Sequence, residues 1–357
     1  MSMLIPYGPQ HPVLPEPLQL RLEINDEKVI SAMPVIGYVH RGLEKLAEQK
    51  DFQQDTYLIE RVCGICSFIH SLTYCMGIEE MMNIAVPPRA NYLRVVWSEL
   101  HRMHSHLLAL GLLADAFGFE NLFMQLWQTR EHVMDAMEAT TGGRVMLGSC
   151  CIGGVRKDID PAQAKFVLEQ VAKVEKELKE LVPVLLDDYG VKQRLVGVGI
   201  LDPQAAYSRG AVGPTLRASG VRRDHRMTGY CAYGELGFEP VVRKECDCYA
   251  RTDVRVGELY QSIDLVRRAL AKLPDSELKT PFKGNPSGEV AVRAEQPRGE
   301  VLYYLRGNGT DKLDRLRVRT PTFANIAPLL GMLVGCNLAD VAVIILSTDP
   351  CISCTER

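Results

Sequence analysis

The sequence predicts an α+β fold that is predominantly α-helical: a central bundle of long helices, small β elements near the N- and C-terminal parts, and both ends meeting at a buried metal site. Three observations carry this expectation. Four long segments repeat apolar residues at helical spacing. Two shorter segments, one near each end, alternate apolar and polar residues about a turn. The same C-x-x-C spacing occurs in "RVCGICSFIH" (Arg61 to His70) and in "DPCISCTER" (Asp349 to Arg357).

In chain order, Leu18 to Gly37 alternates on both sides of Asn25-Asp26 and reads as a β-hairpin. From Arg89 to about Gly118, Leu93, Val96, Trp97, Leu100, Met103, Leu107 and Leu110 recur at three- and four-residue steps. Pro87-Pro88 stand just ahead, where a helix start tolerates proline. A second helix is expected from about Asn121 to Thr140, ended by Gly142-Gly143. A third runs from Pro161 to about Asp187, capped by Asp160, and a fourth from Cys248 to about Leu273. The stretch between them, "GVGILDPQAAYSRGAVGPTLRASGVRRDHR", has neither period and is expected to be loop. "GEVLYYLRGNGTDKLDRLRVRTPT" is a second hairpin pattern around Gly307-Asn308-Gly309.

The longest apolar tract, Ala324 to Leu346, is broken by Asn325, Pro328, Asn337 and Asp340. A spanning helix needs ~20 predominantly apolar residues, so the tract reads as a buried helix followed by a buried strand, "DVAVIIL". No repeat or long linker divides the chain. It is expected to form one domain over 1–357, with a β-rich part at 1–50, a helical core at 51–275 and a β/α part at 276–357.

A hydrophobic fraction of 46% and a charged fraction of 24% are those of a globular chain able to bury a core. The net charge of −3 and a pI near 6.3 argue against nucleic acid as a partner. The N-terminus, "MSMLIPYGPQHP", lacks the basic and apolar regions of a secretory signal. Eleven cysteines without such a signal point to thiols kept reduced, for metals or for packing. Cys75, Cys150, Cys151, Cys231, Cys246, Cys248 and Cys336 lie outside the two pairs and read as small core residues.

The pairs themselves, Cys63/Cys66 and Cys351/Cys354, are a soft ligand set suited to zinc, iron–sulfur or nickel. A local zinc knuckle keeps its pairs within ~15–20 residues, whereas these lie near opposite ends. A shared site is therefore either a staple for the whole fold or a reactive centre inside it. Arg61, His70 and Asp349 flank the pairs. Ionisable shoulders are unneeded in a closed structural site and expected where electrons and protons are handled.

"RVCGICSFIH" and "DPCISCTER" together resemble the two cysteine signatures of the nickel–iron hydrogenase large subunit. "GPQHP", "HRGLEKL", "SELHRMHSHLL", "GPTLRASGVRRDHR", "ECDCYARTDVRVGELYQS" and "PRGEV" are similar to the membrane-bound, energy-converting branch and to its relative, the 49-kilodalton quinone-site subunit of complex I, across nearly the whole chain. The complex I subunit lacks the paired thiols.

The resemblance implies that Cys63 and Cys351 bind nickel terminally while Cys66 and Cys354 bridge nickel to an iron carrying carbon monoxide and cyanide. It places Arg298 over the metals with Asp349 as its partner. It aligns Glu44 with an outer metal ligand and Glu16 with a proton-relay glutamate near Cys351. It implies reversible reduction of protons to H2, and an end that closes over the metals where many members lose a tail. Electrons would come from an iron–sulfur small subunit fed by ferredoxin-like subunits, beside integral-membrane ion-translocating subunits, on the cytoplasmic side of the membrane.

Two departures stand out. Arg357 replaces the histidine expected at an outer Mg or Fe ion, and a salt bridge to Glu44 is the alternative. Ser105 replaces an aspartate, and the nearby His101, His104 and His106 read as packing residues. The competing classes are a quinone-site-like electron-transfer subunit and a scaffold with a zinc staple. The four thiols argue against the first. Arg61, Glu16, Asp349 and Arg298 argue against the second.

Overall fold

The computed structural model describes residues 2–357. An antiparallel sheet opens the chain: β1 (Met3–Tyr7), β2 (Gln19–Asn25) and β3 (Lys28–Val35), in that order. Asn25 pairs with Lys28, so the turn is Asp26-Glu27, both at positive φ, one position beyond the expected centre. Positive φ at both central residues matches the right-handed twist of a hairpin.

Short helices α1 (Leu43–Ala47) and α2 (Asp55–Glu60) lead to α3 (Ser67–Met81). The central element is α4 (Pro88–Ala116), buried along most of its length, with proline in its first turn. Gly118, at φ 76°, lets the chain reverse into α5 (Glu120–Thr141), which ends at Gly142 in the left-handed conformation. A two-residue ladder, β4 (Cys150–Cys151) and β5 (Gly154–Val155), precedes α6 (Pro161–Asp187). Asp160 and Gln163 form a capping box at its start. After α7 (Tyr189–Leu195), α8 (Pro203–Ser208) and α9 (Gly213–Arg217) comes α10 (Cys248–Ala271), which packs on α4 and α6. The fold is thus α+β and mainly helical, as the periodicities predict.

The second sheet has three strands rather than two: β6 (Ser287–Gln296), β7 (Gly299–Asn308) and β8 (Leu313–Arg319), all antiparallel. It lies on α3, an approach that requires Gly77. A Cβ there would come within 2.5 Å of Leu305. The chain finishes through α11 (Pro321–Leu333), α12 (Val341–Ser347) and α13 (Ile352–Glu356).

Two expectations are corrected. "DVAVIIL" is helical, not a strand. Its β-branched run packs against α4, α10 and α11 and joins none of the sheets among the described residues. A lone strand there would leave its backbone donors and acceptors unpaired, whereas a helix satisfies them internally. The region expected to be loop contains α8 and α9, both too short to display a 3.6-residue period. Asp202 caps α8 by accepting from the Ala205 amide. Among the described residues, no helix is long and apolar enough to cross a membrane.

Candidate metal centre

Both C-x-x-C segments fold in the same way. Cys66 is the residue that enters α3, and the Cys63 sulfur accepts from the amides of Ile65 (3.2 Å) and Cys66 (3.4 Å). Cys351 caps α13, its sulfur accepting from the Cys354 amide at 3.4 Å. Folding brings Cys63 and Cys351 to 3.4 Å, and Cys66 and Cys354 to 3.5 Å, sulfur to sulfur. All four are at most 2% exposed. These separations exceed a disulfide bond of about 2.05 Å, and the donors are soft, so the set fits a thiophilic metal. The sulfurs of Cys63, Cys351 and Cys354 lie within 4.8 Å of one another, as do the ligand atoms of Cys66, His70 and Cys354.

Hydrogen bonds from Cys351, and then from Cys354 and Cys66, draw the Cys63 thiol well below its ordinary pKa. Burial pushes Cys66 and Cys354 well above theirs, and the Cys63 sulfur adds to it at both. Ligation needs thiolates, so metal binding must release protons from this pocket.

Arg298, in the β6–β7 turn, is buried and donates from Nε to the Asp349 carbonyl (2.8 Å), from Nη2 to Asp349 Oδ1 (2.8 Å) and from Nη1 to Ser105 Oγ (3.3 Å). That turn lies against the start of α9. A Cβ on Gly213 would fall 2.3 Å from the Arg298 carbonyl, so only glycine permits the contact. Asp349 has φ 53°, a conformation that aspartate adopts more readily than most side chains. The guanidinium grips both its backbone and its carboxylate, and thereby sets the approach to Cys351. Burial raises the Asp349 carboxyl despite Arg298 and Arg255, and its Oδ2 has no hydrogen-bond partner among the described residues.

Glu16 accepts from the amides of Ile352 and Ser353 and from the Ser353 hydroxyl, so it grips the start of α13. His70 lies between Tyr303 Oη (2.7 Å from Nδ1) and Cys354 Sγ (3.4 Å from Nε2), and burial lowers its pKa to about 4.

Several site residues were not evident from sequence. Tyr303 carried no signal in its strand. Arg41 donates to the carbonyls of Arg61 (2.9 Å), Val62 (2.8 Å) and Ser353 (3.2 Å), tying the two cysteine segments together. Its place inside "HRGLEKL" was the available clue. Arg61, expected at the site, caps the C-terminus of α2, and its exposed side chain donates to the Tyr57 carbonyl.

His101, His104 and His106 are buried on α4, with Nδ1 of His101 3.2 Å from the Ile65 carbonyl and Nε2 of His106 2.8 Å from Glu258. Cys246 and Cys248 do not converge: one donates to the Lys244 carbonyl and the other accepts from Arg251.

The pattern describing the "Respiratory-chain NADH dehydrogenase, 49 Kd subunit" matches residues 117–285 and 280–357, and that of "Nickel-dependent hydrogenase" matches 41–114. The chain is 40% identical to the carbon monoxide-induced hydrogenase of Rhodospirillum rubrum, over 99% of both chains. This chain belongs to the membrane-bound nickel–iron hydrogenase family. It is also 39% identical to the membrane-bound hydrogenase subunit alpha of Pyrococcus furiosus, over 99% of this chain and 87% of that one. In structure it matches a chain of the membrane-bound sulfane sulfur reductase, an archaeal respiratory membrane complex. The TM-score is 0.95 at 31% identity, covering 100% of this chain and 98% of the other.

Arg357, which stands where the sequence resemblance implies a histidine, lies beside Glu44. It meets Glu44 at 3.1 Å, and Arg317 meets the same carboxylate at 2.6 Å. Burial alone would raise the Glu44 carboxyl, but the Val318 amide and both guanidinium groups outweigh it and hold the carboxylate ionised. With two cations already on Glu44, these residues do not fit an outer Mg or Fe ion.

Proposed function

We propose that this chain is the catalytic subunit of an energy-converting nickel–iron hydrogenase that interconverts protons and H2. The observation that carries the reading is the convergence of four buried thiols within a chain that is otherwise close to the complex I subunit. Cys63 and Cys351 would hold nickel, and Cys66 and Cys354 would be shared by nickel and an iron bearing carbon monoxide and cyanide. When bound, such a centre supplies the redox chemistry that relates H2 to two protons and two electrons.

The chain's own residues have distinct tasks in this reading. Arg298 and Asp349 roof the thiols with a buried ion pair and fix the second cysteine loop. His70, neutral and braced by Tyr303, orients toward Cys354 and keeps water from it. Glu16 takes a proton beside the Cys351 loop and passes it outward, since transfer requires a group near hydrogen-bond reach. Electrons arrive from an iron–sulfur small subunit, fed by ferredoxin-like subunits. The assembly sits on integral-membrane ion-translocating subunits at the cytoplasmic face.

The test is metal analysis with infrared spectroscopy on the complex purified anaerobically. About one nickel and one iron per chain, with carbon monoxide and cyanide bands, are expected. Zinc at the four thiols without those bands would overturn the reading in favour of a staple.

A further inference from the structure

A second polar assembly lies in the interior, outside the thiol pocket. Arg217 of α9 reaches three carboxylates: Asp224 at 3.0 Å, Glu258 at 2.6 Å and Glu295 at 2.8 Å. All are buried. Asp224 has Arg226 as well (2.8 Å), and Glu258 has His106 (2.8 Å). Among the described residues, Glu295 has in addition only the His225 amide, at 3.0 Å. Arg226 shares Asp224 with Arg217, and Arg102 lies 3.9 Å from Glu258, so Glu295, whose salt bridge is to Arg217, is the least served of the three carboxylates.

Glu295 also faces outward. With Arg223, His225 and Glu300 it lines a small surface cavity of about 10 Å³, close to the room that one water requires. The Arg223 side chain is 55% exposed at its mouth.

Among the described residues, several other buried polar atoms have no hydrogen-bond partner: Thr215 Oγ1, His106 Nδ1, both amide atoms of Gln296, Nε and Nη2 of Arg255, and Asp349 Oδ2. Contacts link three of these residues, because Arg255 lies within electrostatic reach of Asp349 and of Glu258, the partner of His106. Gln296 follows Glu295 and its carbonyl accepts from Arg102 at 3.1 Å. His106 bonds Glu258 and adjoins Ser105, which Arg298 ties to Asp349. Arg255 donates to the Ser347 carbonyl at 2.8 Å, two residues before Asp349. Buried polar groups are rarely left unpaired, and where they cluster internal water satisfies them.

We propose that a file of internal water runs from the Arg298–Asp349 pair past Arg255 and His106 to Glu295, and that Glu295 exchanges protons with solvent beside His225. This route is separate from Glu16. It rests on the hydrogenase reading, which requires two protons for each H2. Glu295 gives its proton to the inner water and regains one from solvent, ending unchanged.

The surrounding charges agree. Burial and then the Asp224 charge raise the Glu295 carboxyl to about 7, against the pull of Arg217 and the His225 amide. Glu258 from α10 is held ionised, because Arg217, His106 and Arg226 outweigh its burial. His106 is lowered to about 4, and His225 is lowered too, both by burial. Arg102 from α4 donates to the Glu295 carbonyl, and Tyr230, raised by burial, accepts from its amide. Glu300 of β7 is paired with Arg223 at 3.3 Å. Glu295 is therefore the member poised to change charge near neutrality.

The test uses the purified, metal-loaded complex. A protonated-carboxyl infrared band should disappear with a midpoint near pH 7, shift in D2O and be missing in Glu295→Gln, which mimics the protonated group and keeps the fold. Glu295→Gln should also slow H2/D2O exchange per nickel by about tenfold or more. An unchanged band and unchanged exchange in a nickel-loaded Glu295→Gln complex would overturn the proposal and leave the hydrogenase reading standing. Absence of nickel with the band still titrating would do the reverse.

Discussion

Glu16→Gln separates proton transfer from architecture. The carboxylate accepts from two amides and a hydroxyl at the start of α13, the helix carrying Cys354. Glutamine keeps one acceptor oxygen. Its amide group must face the Ser353 hydroxyl, which then reverses from donor to acceptor. The structural loss is about one charge-assisted hydrogen bond, roughly 1–2 kcal/mol. In a chain of this length, that lowers the melting temperature by at most about 4 °C. A positioned acid or base contributes ~100-fold or more to proton transfer. Two assays divide these effects: H2/D2O exchange normalised to bound nickel, and thermal melting of the complex. The expected result is near-normal nickel and iron, a small melting shift and exchange down by about 100-fold or more. Unchanged exchange per nickel would refute the relay. Loss of the metals with normal exchange in the residual loaded fraction would make Glu16 a purely structural cap.

Arg298→Lys keeps the charge but cannot reproduce a fork that serves the Asp349 carbonyl, its carboxylate and Ser105. Leaving one of these buried groups unpaired costs about 3 kcal/mol, so H2 turnover should fall roughly 100-fold, and wild-type turnover would refute the role. Cys66→Ser or Cys354→Ser should abolish nickel and iron together, whereas Cys63→Ser or Cys351→Ser should lose nickel and can retain iron; normal metal content in all four would refute the ligand assignment. Asp55 is fully buried, neither carboxyl oxygen has a hydrogen-bond partner among the described residues, and burial and then Asp51 raise its pKa to about 8. The folded state thus holds a proton that the unfolded chain releases above about pH 4. Stability should fall as pH rises from 4 to 8, by up to roughly 1.4 kcal/mol per unit. Asp55→Asn should remove that slope in thermal melts at pH 6 and 8; an identical slope in the variant would refute it.

α4, α5, α6 and α10 were legible because each carries its own instructions, whereas α3, which is buried on nearly every side and so shows no amphipathic period, was not read. Proline opens α4, glycine ends α5, a capping box starts α6, and the apolar spacing of each needs no distant partner. Both hairpins were legible for the same reason. α12 was not, because a short apolar β-branched run is compatible with either strand or helix, and its neighbours decided. β6 was missed because its N-terminal half is largely exposed and its pairing is supplied by β7. α8 and α9 were too brief to show a period.

At the candidate site, the sequence by itself determined the donor chemistry: two C-x-x-C pairs, with Asp349 at the shoulder of one and an arginine in "PRGEV". Side-chain identity sets softness and charge, and these are local properties. Distance, direction and burial were decided only in the tertiary structure. Packing brought thiols from opposite ends of the chain to 3.4 and 3.5 Å. It turned Arg61 outward and put Arg41 across both loops, and it spent Glu44 on Arg317 and Arg357. It also crowded Asp224, Glu258 and Glu295 around Arg217, with Arg226 beside Asp224. No pattern along a chain encodes these outcomes, because each depends on residues that only the folded core makes neighbours.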